Sequence, residues 1–468
     1  MTQTRRRPTL LEALLPLVFV ASFLGVGFGV FRLNTEILLL TAAAVTALLA
    51  RRLGCTYKDI ERGILNSIHK GTPAALIVIA VGAVIGSWIA SGTIPMLIYY
   101  GLEFISPTYF LATACIVCSI VSLTTGTSYG TAGTVGVALI GVAQGLGVPL
   151  GQAAGAIIAG AYFGDKMSPF SDMTNLASAV AKSNLFDHIK HMLWTTTPAW
   201  ILGVIVYFFI GASGDAAAAS LEQTALIKQT ILDNFQFHPV LLLPPVMIVV
   251  AAVRKKPIIP SMFAASFVAA LLAIWVQSMD LQAAFGSMTS GYQSQTDNEM
   301  IDSLLSRGGM AEMMNIVLLL LCAFSFGGVV QAGGMLDVVL ERLQKTADST
   351  AKLIASTVAS SLASCLMTGS AAVSTILIGE LFAPAFRKME LAAKNLSRTL
   401  EDSGTVVVPL IPWSIAGFYM SRTLGVATLE YAPWMIMCYT GFIFALIYGF
   451  TGFKIAPQIK DDETEQGS

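Results

Sequence analysis

Residues Thr124 to Thr134 read T-T-G-T-S-Y-G-T-A-G-T, and Thr368 to Thr375 read T-G-S-A-A-V-S-T, each closing an apolar run of the length that crosses a bilayer. A plain membrane-spanning helix would carry Leu or Val at such positions. Hydroxyls and glycines instead let the helix break and turn freed carbonyls and side-chain oxygens toward a small cation. Irregular backbone at membrane depth is tolerated only where it is buried in protein or lines a cavity. The competing reading of either run is close helix packing through small residues.

The two stretches lie in matching surroundings. Placing 76–136 over 319–379, an offset of 243, puts Gly126 on Gly369, Thr125 on Thr368, Thr127 on Ser370 and Gly136 on Gly379. An apolar span, a small-residue joint (Ser91-Gly92 against Gly333-Gly334), an amphipathic connector, a second span and the break recur in order. Each half then reaches an acidic cluster followed by proline: Gly164-Asp165-Lys166 with Pro169, and Glu401-Asp402-Ser403 with Pro409. Asp165 lies 39 residues after Gly126 and Asp402 lies 33 after Gly369, which reads as a repeat with one small indel. Chance likeness of Gly-rich apolar sequence is the bland alternative. Paired interrupted spans in two halves point to a transporter with its site near the midplane between them.

Composition agrees with a membrane protein. Of 468 residues 55% are hydrophobic and 12% charged, against roughly 25% charged in a soluble domain. The net charge of -1 offers no basic excess for a phosphate backbone, so nucleic-acid binding is not expected. No Walker A, G-x-S-x-G, H-E-x-x-H or dinucleotide fingerprint is present, which leaves nucleotide-driven transport and the common hydrolase chemistries without support, and no cofactor is expected. Cys115 and Cys118 share a face of an apolar segment and read as packing, while His188 and His191, beside Asp187 and Lys190, read as a solvated connector.

Apolar windows of about 20 residues fall near 10–31, 35–51, 73–91, 108–125, 193–212, 238–253, 258–277, 313–332, 350–368 and 431–452. The stretches 127–163, 370–386 and 404–420 are apolar but interrupted. The expected fold is an all-α polytopic membrane protein with two inverted repeats, broken helices or re-entrant hairpins, and about 10–12 membrane segments. Its parts are 1–72 (first spans and an interfacial helix), 73–190 (repeat 1), 191–312 (connecting spans), 313–422 (repeat 2) and 423–468 (last span and tail). The first span lacks a cleavage site and is expected to stay in the mature chain. Arg5 to Arg7, Arg51, Arg52, Lys58, Arg62 and Lys70 place both ends of the first hairpin on the cytoplasmic side, with Arg32 opposite. Arg254 to Lys256 and the run Arg387, Lys388, Lys394, Arg398 are expected there too. Residues 56–69 read as an amphipathic helix lying on the membrane. Residues 213–237 and 278–310 read as loops, and the acidic tail from Asp461 as disordered.

The run Gly164 to Asn175, G-D-K-M-S-P-F-S-D-M-T-N, gathers Asp165, Asp172, Ser168, Ser171, Thr174 and Asn175 around a helix-breaking Pro169. Carboxylate, hydroxyl and amide oxygens suit a hard cation. Glu401, Asp402, Ser403 and Thr405 form the counterpart, with Thr125, Thr127, Thr368 and Ser370 as neutral ligands at the breaks. Intramembrane acids are functional candidates by default. A carboxylate withdrawn from water is protonated more readily, and an adjacent cation opposes this. One such group can hold H+ or Na+ but not both, which suffices for exchange. Lys166 reads either as a balance for Asp165 or as an interface anchor. Glu380 reads as a second proton carrier or a helix-end charge, and Glu103 and Glu312 as span ends.

Gly164-Asp165-Lys166-Met167-Ser168-Pro169 with Ser171-Asp172 and Thr174-Asn175-Leu176-Ala177, together with Glu401-Asp402-Ser403-Gly404-Thr405 and Pro409-Leu410-Ile411-Pro412-Trp413, resemble the NhaC-type sodium/proton antiporter family. Met173 departs from the second hydroxyl residue expected there. The resemblance implies a multi-pass secondary antiporter of the bacterial inner membrane, within an ion-transporter superfamily of inverted repeats. It also implies a homodimer in the lipid bilayer whose transport domain moves against a scaffold. One branch exchanges proton-coupled malate for sodium-coupled lactate. Na+ and H+ are then the transported ions, with Na+ at Asp165 and Asp402, and Lys166 and Arg398 are the candidates for meeting an organic anion. A proteolytic aspartate dyad is the reading from another class, but Tyr162-Phe163-Gly164-Asp165 stands where G-x-G-D would be required.

Overall fold

A computed structural model describes residues 6–29, 31, 33–213, 216–254, 256–296, 301, 302, 305–345 and 348–458. Arg5, Arg32, Lys255 and the tail from Asp461 lie outside the described residues. The chain is all-helical: among the described residues the only β-type pairing is an isolated antiparallel bridge between Leu391 and Pro457.

An N-terminal hairpin, α1 (Leu10–Gly29) and α2 (Thr35–Arg52), precedes α3 (Tyr57–Ala90). Thr56 and Asp59 start α3 with a reciprocal capping box, which satisfies two of the amides a helix start leaves free. The stretch expected to lie flat on the membrane is the first third of this 34-residue helix. At 1.5 Å per residue α3 is about 51 Å long, well beyond the ~30 Å hydrocarbon layer. Its N-terminal part is held against α15 by tight packing: a Cβ on Gly63 would come within 2.5 Å of the Gly328 carbonyl, and Gly71 faces the Phe324 ring.

The first half continues through α4 (Thr93–Phe104), α5 (Phe110–Thr125), a second segment made of α6 (Ser128–Thr131), a π-turn (Ala132–Gly136) and α7 (Val137–Gly145), then α8 (Leu150–Met167) and α9 (Asp172–Ala181). Connecting helices follow: α10 (Leu185–Ser213), α11 (Ala216–Asn234), α12 (Leu243–Val253), α13 (Ile258–Gln277) and α14 (Leu281–Ser290). Helices α11 and α14 replace much of the two expected loops; Asp280 caps α14 by accepting from the Ala283 amide at 2.9 Å. The second half is α15 (Met310–Ala332), α16 (Met335–Gln344), α17 (Thr350–Thr368), α18 (Ala371–Lys388), α19 (Ala393–Leu400) with a π-turn over Glu401–Thr405, and α20 (Ile415–Leu424). The chain closes with α21 (Thr428–Tyr431) and α22 (Ile436–Thr451). The expected interruption within 370–386 is absent: α18 runs unbroken through Pro384.

Six helices among the described residues are long and apolar enough to cross a membrane, or nine if each of three bent pairs counts as one span. The bends are 105° between Ala225–Asn234 and Pro239–Ala251, 48° between Ala393–Leu410 and Ile415–Leu424, and 54° between Thr428–Trp434 and Ile436–Thr451. This is fewer than the ten clear windows of the sequence because several of those windows fold into shorter or bent helices.

The repeat holds at a fixed offset of 243 and needs no indel. Gly126 (φ 69°) ends α5 and Gly369 (φ 65°) ends α17, the left-handed conformation that glycine adopts without strain. Thr127 and Ser370 then cap the next helices by accepting from Gly130 N and Val373 N. Ser171 and Ser414 cap α9 and α20, and Lys182 and Gly425 end them with positive φ. Ser122 Oγ donates to the Ala161 carbonyl, and 243 residues on Cys365 Sγ donates to that of Gly404. Pro169-Phe170-Ser171 therefore falls on Pro412-Trp413-Ser414, Asp165 falls on Val408, and Asp402 on Ala159. The acidic clusters, which looked like counterparts, occupy different levels of the two halves. The equivalent helices α3 and α15 pack antiparallel, Gly63 against Gly328 and Gly82 against Gly309, as members of an inverted pair do.

Candidate functional site

In each half two interruptions touch. A Cβ on Gly126 would lie 2.7 Å from the Phe170 backbone, and one on Gly369 would lie 3.3 Å from the Trp413 carbonyl. In the first half α8 ends at Met167 because Pro169 supplies no amide, and Thr174 Oγ1 satisfies a freed carbonyl by donating to Lys166 O at 3.0 Å. Asp165, 7% exposed, sits on the last turn of α8. Its Oδ2 accepts from the Ser128 hydroxyl at 2.7 Å and the Ser128 amide at 3.2 Å, tying α8 to the start of α6.

Lys166 points elsewhere. It is 1% exposed and forms an ion pair with Asp402 Oδ1, a residue of the other half. Both readings of Lys166 from sequence, a balance for its neighbour and a headgroup anchor, are thus corrected. Asp402 Oδ1 also accepts from Thr195 Oγ1 of α10 at 3.1 Å. Asp402 Oδ2 and both carboxylate oxygens of Glu401 have no hydrogen-bond partner among the described residues, and both acids have zero exposure. A single carboxylate left so would be costly. Three orphaned carboxylate oxygens on one π-turn, a helix defect frequent at functional sites, mark this as a place where charge is meant to be met.

The other sequence candidates separate. Ser168, Ser171, Thr174, Thr125, Thr368, Ser403 and Thr405 are buried, but most are committed to the backbone: Ser168 accepts from Phe170 N, Thr368 donates to Ser364 O, and Ser403 donates to Thr399 O at 2.6 Å. Thr127, Ser370 and Ser171 are helix caps. Thr125 lies 3.4 Å from the Thr131 hydroxyl, and Thr405 Oγ1 has no partner among the described residues. Asp172 and Asn175 are exposed, and Asn175 Nδ2 closes the break by donating to Pro169 O and Ser171 O. Glu380 is exposed as well.

Arg398 is fully buried, unlike its exposed neighbours in sequence Arg387 and Lys388. It donates through Nη1 to Lys454 O at 3.0 Å, lies 5.9 Å from the Tyr448 ring centroid, and keeps Nε and Nη2 unpartnered among the described residues. His188 and His191, expected in a solvated connector, are buried on α10; His191 Nε2 is 3.1 Å from Asn395 Oδ1. No group of three or more His, Cys, Asp or Glu among the described residues could hold a metal ion. Sequence reasoning did not single out Thr195, a polar residue inside an apolar window, or Asn395, which lies within the basic run Arg387 to Arg398, and it took Ser128 only as part of the Thr124–Thr134 run. Cys115 and Cys118 are buried, and the Cys115 carbonyl is packed against Gly160.

Comparison with known proteins places these residues in a wider context. The model of the Na+/H+ antiporter family matches residues 160–453, a region that includes Asp165, Lys166, Glu401 and Asp402. The chain is 43% identical to a protein of Haemophilus influenzae described as an uncharacterized Na+/H+ antiporter, covering 97% of this chain and 98% of that one. It is 37% identical to the malate-2H+/Na+-lactate antiporter of Bacillus subtilis, over 96% of each chain. It is 36% identical to the Na+/H+ antiporter NhaC of Alkalihalophilus pseudofirmus, over 92% of this chain and 93% of the other.

Proposed function

The chain belongs to the Na+/H+ antiporter family, and we infer that it is a multi-pass cell-membrane protein that exchanges Na+ for H+ by alternating access. One observation carries the assignment to residues: each half buries a carboxylate, Asp165 on α8, held by Ser128, and Asp402 after α19, paired with Lys166 and keeping Oδ2 without a partner among the described residues. Protonation discharges such a group, and a desolvated Na+ neutralises it equally well. Occupation by one excludes the other, so net movement of Na+ in one direction requires H+ in the other. Lys166 holds Asp402 in place across the interface and limits how much negative charge the centre accumulates. Ser128 keeps Asp165 oriented through its amide and hydroxyl.

Proteoliposomes containing the purified protein test this. An imposed Na+ gradient should acidify or alkalinise the lumen according to its direction, and Asp165→Asn with Asp402→Asn should abolish the response. Undiminished exchange in the doubly substituted protein would refute the assignment. A second reading, exchange of an organic carboxylate alongside the ions, is favoured by the unused Nε and Nη2 donors of buried Arg398. Malate-dependent and lactate-dependent Na+ fluxes, lost on Arg398→Gln, distinguish it from bare ion exchange.

A further inference from the structure

The 243-residue correspondence isolates a feature that the shared architecture does not require. Besides Asp402 and Thr423, six side chains of the second half are buried with an oxygen that has no hydrogen-bond partner among the described residues: Ser360, Ser361 and Ser364 on α17, Thr375 on α18, and Glu401 and Thr405 on the π-turn. Each is at most 4% exposed. Their counterparts in the first half are Val117, Cys118, Val121, Ala132, Ile158 and Tyr162, of which only Tyr162 carries oxygen. The same backbone arrangement is therefore built in one half from apolar residues and in the other from unpaired oxygens.

The oxygen-bearing elements meet. Cys365 Sγ donates to the Gly404 carbonyl at 3.4 Å, and Ser374 Oγ donates to the Ser361 carbonyl at 3.2 Å. A Cβ on Gly404 would lie 3.7 Å from Thr375 Oγ1 and 3.9 Å from Ser374 Oγ, so the π-turn presents bare backbone to the α18 hydroxyls. Ser360 and Ser364, one helical turn apart, share a face of α17. We propose that this junction of α17, α18 and the π-turn is a cation site of its own, made of hydroxyl oxygens and the Glu401 carboxylate, and that its occupant is dehydrated Na+. All-oxygen coordination with one carboxylate suits a hard cation. The hydroxyls replace its water shell, while Glu401 supplies the charge. The site uses neither Asp165 nor the Lys166–Asp402 pair, so it holds a Na+ additional to the one that competes with H+ at those acids. Only the identity of the ion rests on the antiport reading.

The test transplants the first half's residues into the second: Ser361→Cys, Ser364→Val and Thr375→Ala together, in the full-length protein. Thermal unfolding in detergent is followed in NaCl against choline chloride, and exchange in proteoliposomes is measured against Na+ concentration. The triple variant should lose the Na+-dependent rise in melting temperature and need at least about tenfold more Na+ for half-maximal exchange. Its melting temperature in choline should be unchanged or higher, since orphaned polar groups have been removed. A variant that keeps the Na+ shift and a half-maximal concentration within about twofold of wild type overturns the proposal and makes the cluster a water-filled packing defect. Should the triple variant not fold, Thr375→Val against Thr375→Ser decides: equal Na+ dependence overturns the proposal, and loss in Val alone supports it. A wild-type protein that exchanges Na+ beside an unaffected triple variant defeats this inference alone, whereas a folded wild type that neither exchanges nor binds Na+ defeats the antiport reading as well.

Discussion

The two halves break their helices in the same way and put acids in different places. The glycines at 126 and 369, the hydroxyl caps at 127 and 370, and the proline-aromatic-serine turns at 169–171 and 412–414 coincide. Asp165 stands four residues before its proline and is hydrogen-bonded to Ser128, whereas Asp402 stands ten before Pro412 and is paired with Lys166 of the other half. The features common to both halves are those a broken helix needs to satisfy its backbone. Those that differ carry charge. Duplicated architecture has been kept where geometry demands it and differs where buried charge sits.

The strongest way to break this comparison is at the one ion pair described between the halves. Lys166→Met should strand Asp402 as an uncompensated buried charge and cost about 3–5 kcal/mol, while Lys166→Met with Asp402→Leu should recover most of that stability without recovering transport. Denaturant unfolding in detergent reads the first effect and proteoliposome flux the second. Equal destabilisation by the single and double changes would show that the pair does not couple the halves.

Next in size is Ser128→Ala. It removes a hydrogen bond to the Asp165 carboxylate that should be worth about 1.5–3 kcal/mol, with no counterpart in the second half, where Ala371 already stands at the matching position. Thermal unfolding as a function of Na+ measures it, and a neutral result would detach Asp165 from α6. The break glycines sharpen the comparison further. Alanine at either pays about 1–2 kcal/mol for the left-handed backbone, but only at 126 does its Cβ also meet backbone at 2.7 Å. Gly126→Ala should therefore be the more damaging of the two in melting temperature and flux, and the reverse order would contradict the packing described for Phe170. The smallest effects are expected at the caps: Thr127→Ala and Ser370→Ala should each cost about 1 kcal/mol and differ little in unfolding, because each accepts one amide three residues ahead.

Much of this was legible in the chain itself. The T-G-T and T-G-S breaks announce the interruptions because hydroxyl and glycine have no reason to end an apolar run except to cap the next helix. Offset 243 was readable from the glycines and became misread only where Asp165 was matched to Asp402 by chemical likeness; Pro169-Phe170-Ser171 against Pro412-Trp413-Ser414 would have fixed the register. Asp172 and Asn175 looked equivalent to Asp165 because sequence proximity to a proline does not say which side of the turn is buried. Lys166 could not have been paired with Asp402, 236 residues away, since long-range pairing depends on how the halves dock. The continuity of α3 was hidden for a related reason: residues 57–70 pack against α15, and a helix face reads the same whether protein or headgroups lie against it.

The end of the described chain has a practical consequence. Beyond α22, Ala392 N donates to the Ala456 carbonyl, Gln458 N donates to the Glu390 carbonyl, and Asn395 accepts from the Ala456 amide. The backbone at 456–458 is thus laced to the root of α19, the helix that leads into Glu401 and Asp402. A reporter or affinity handle fused directly after Gln458 would tug on that root, whereas one placed ahead of α1 would not, so the two fusions of this protein should not be treated as interchangeable in flux assays.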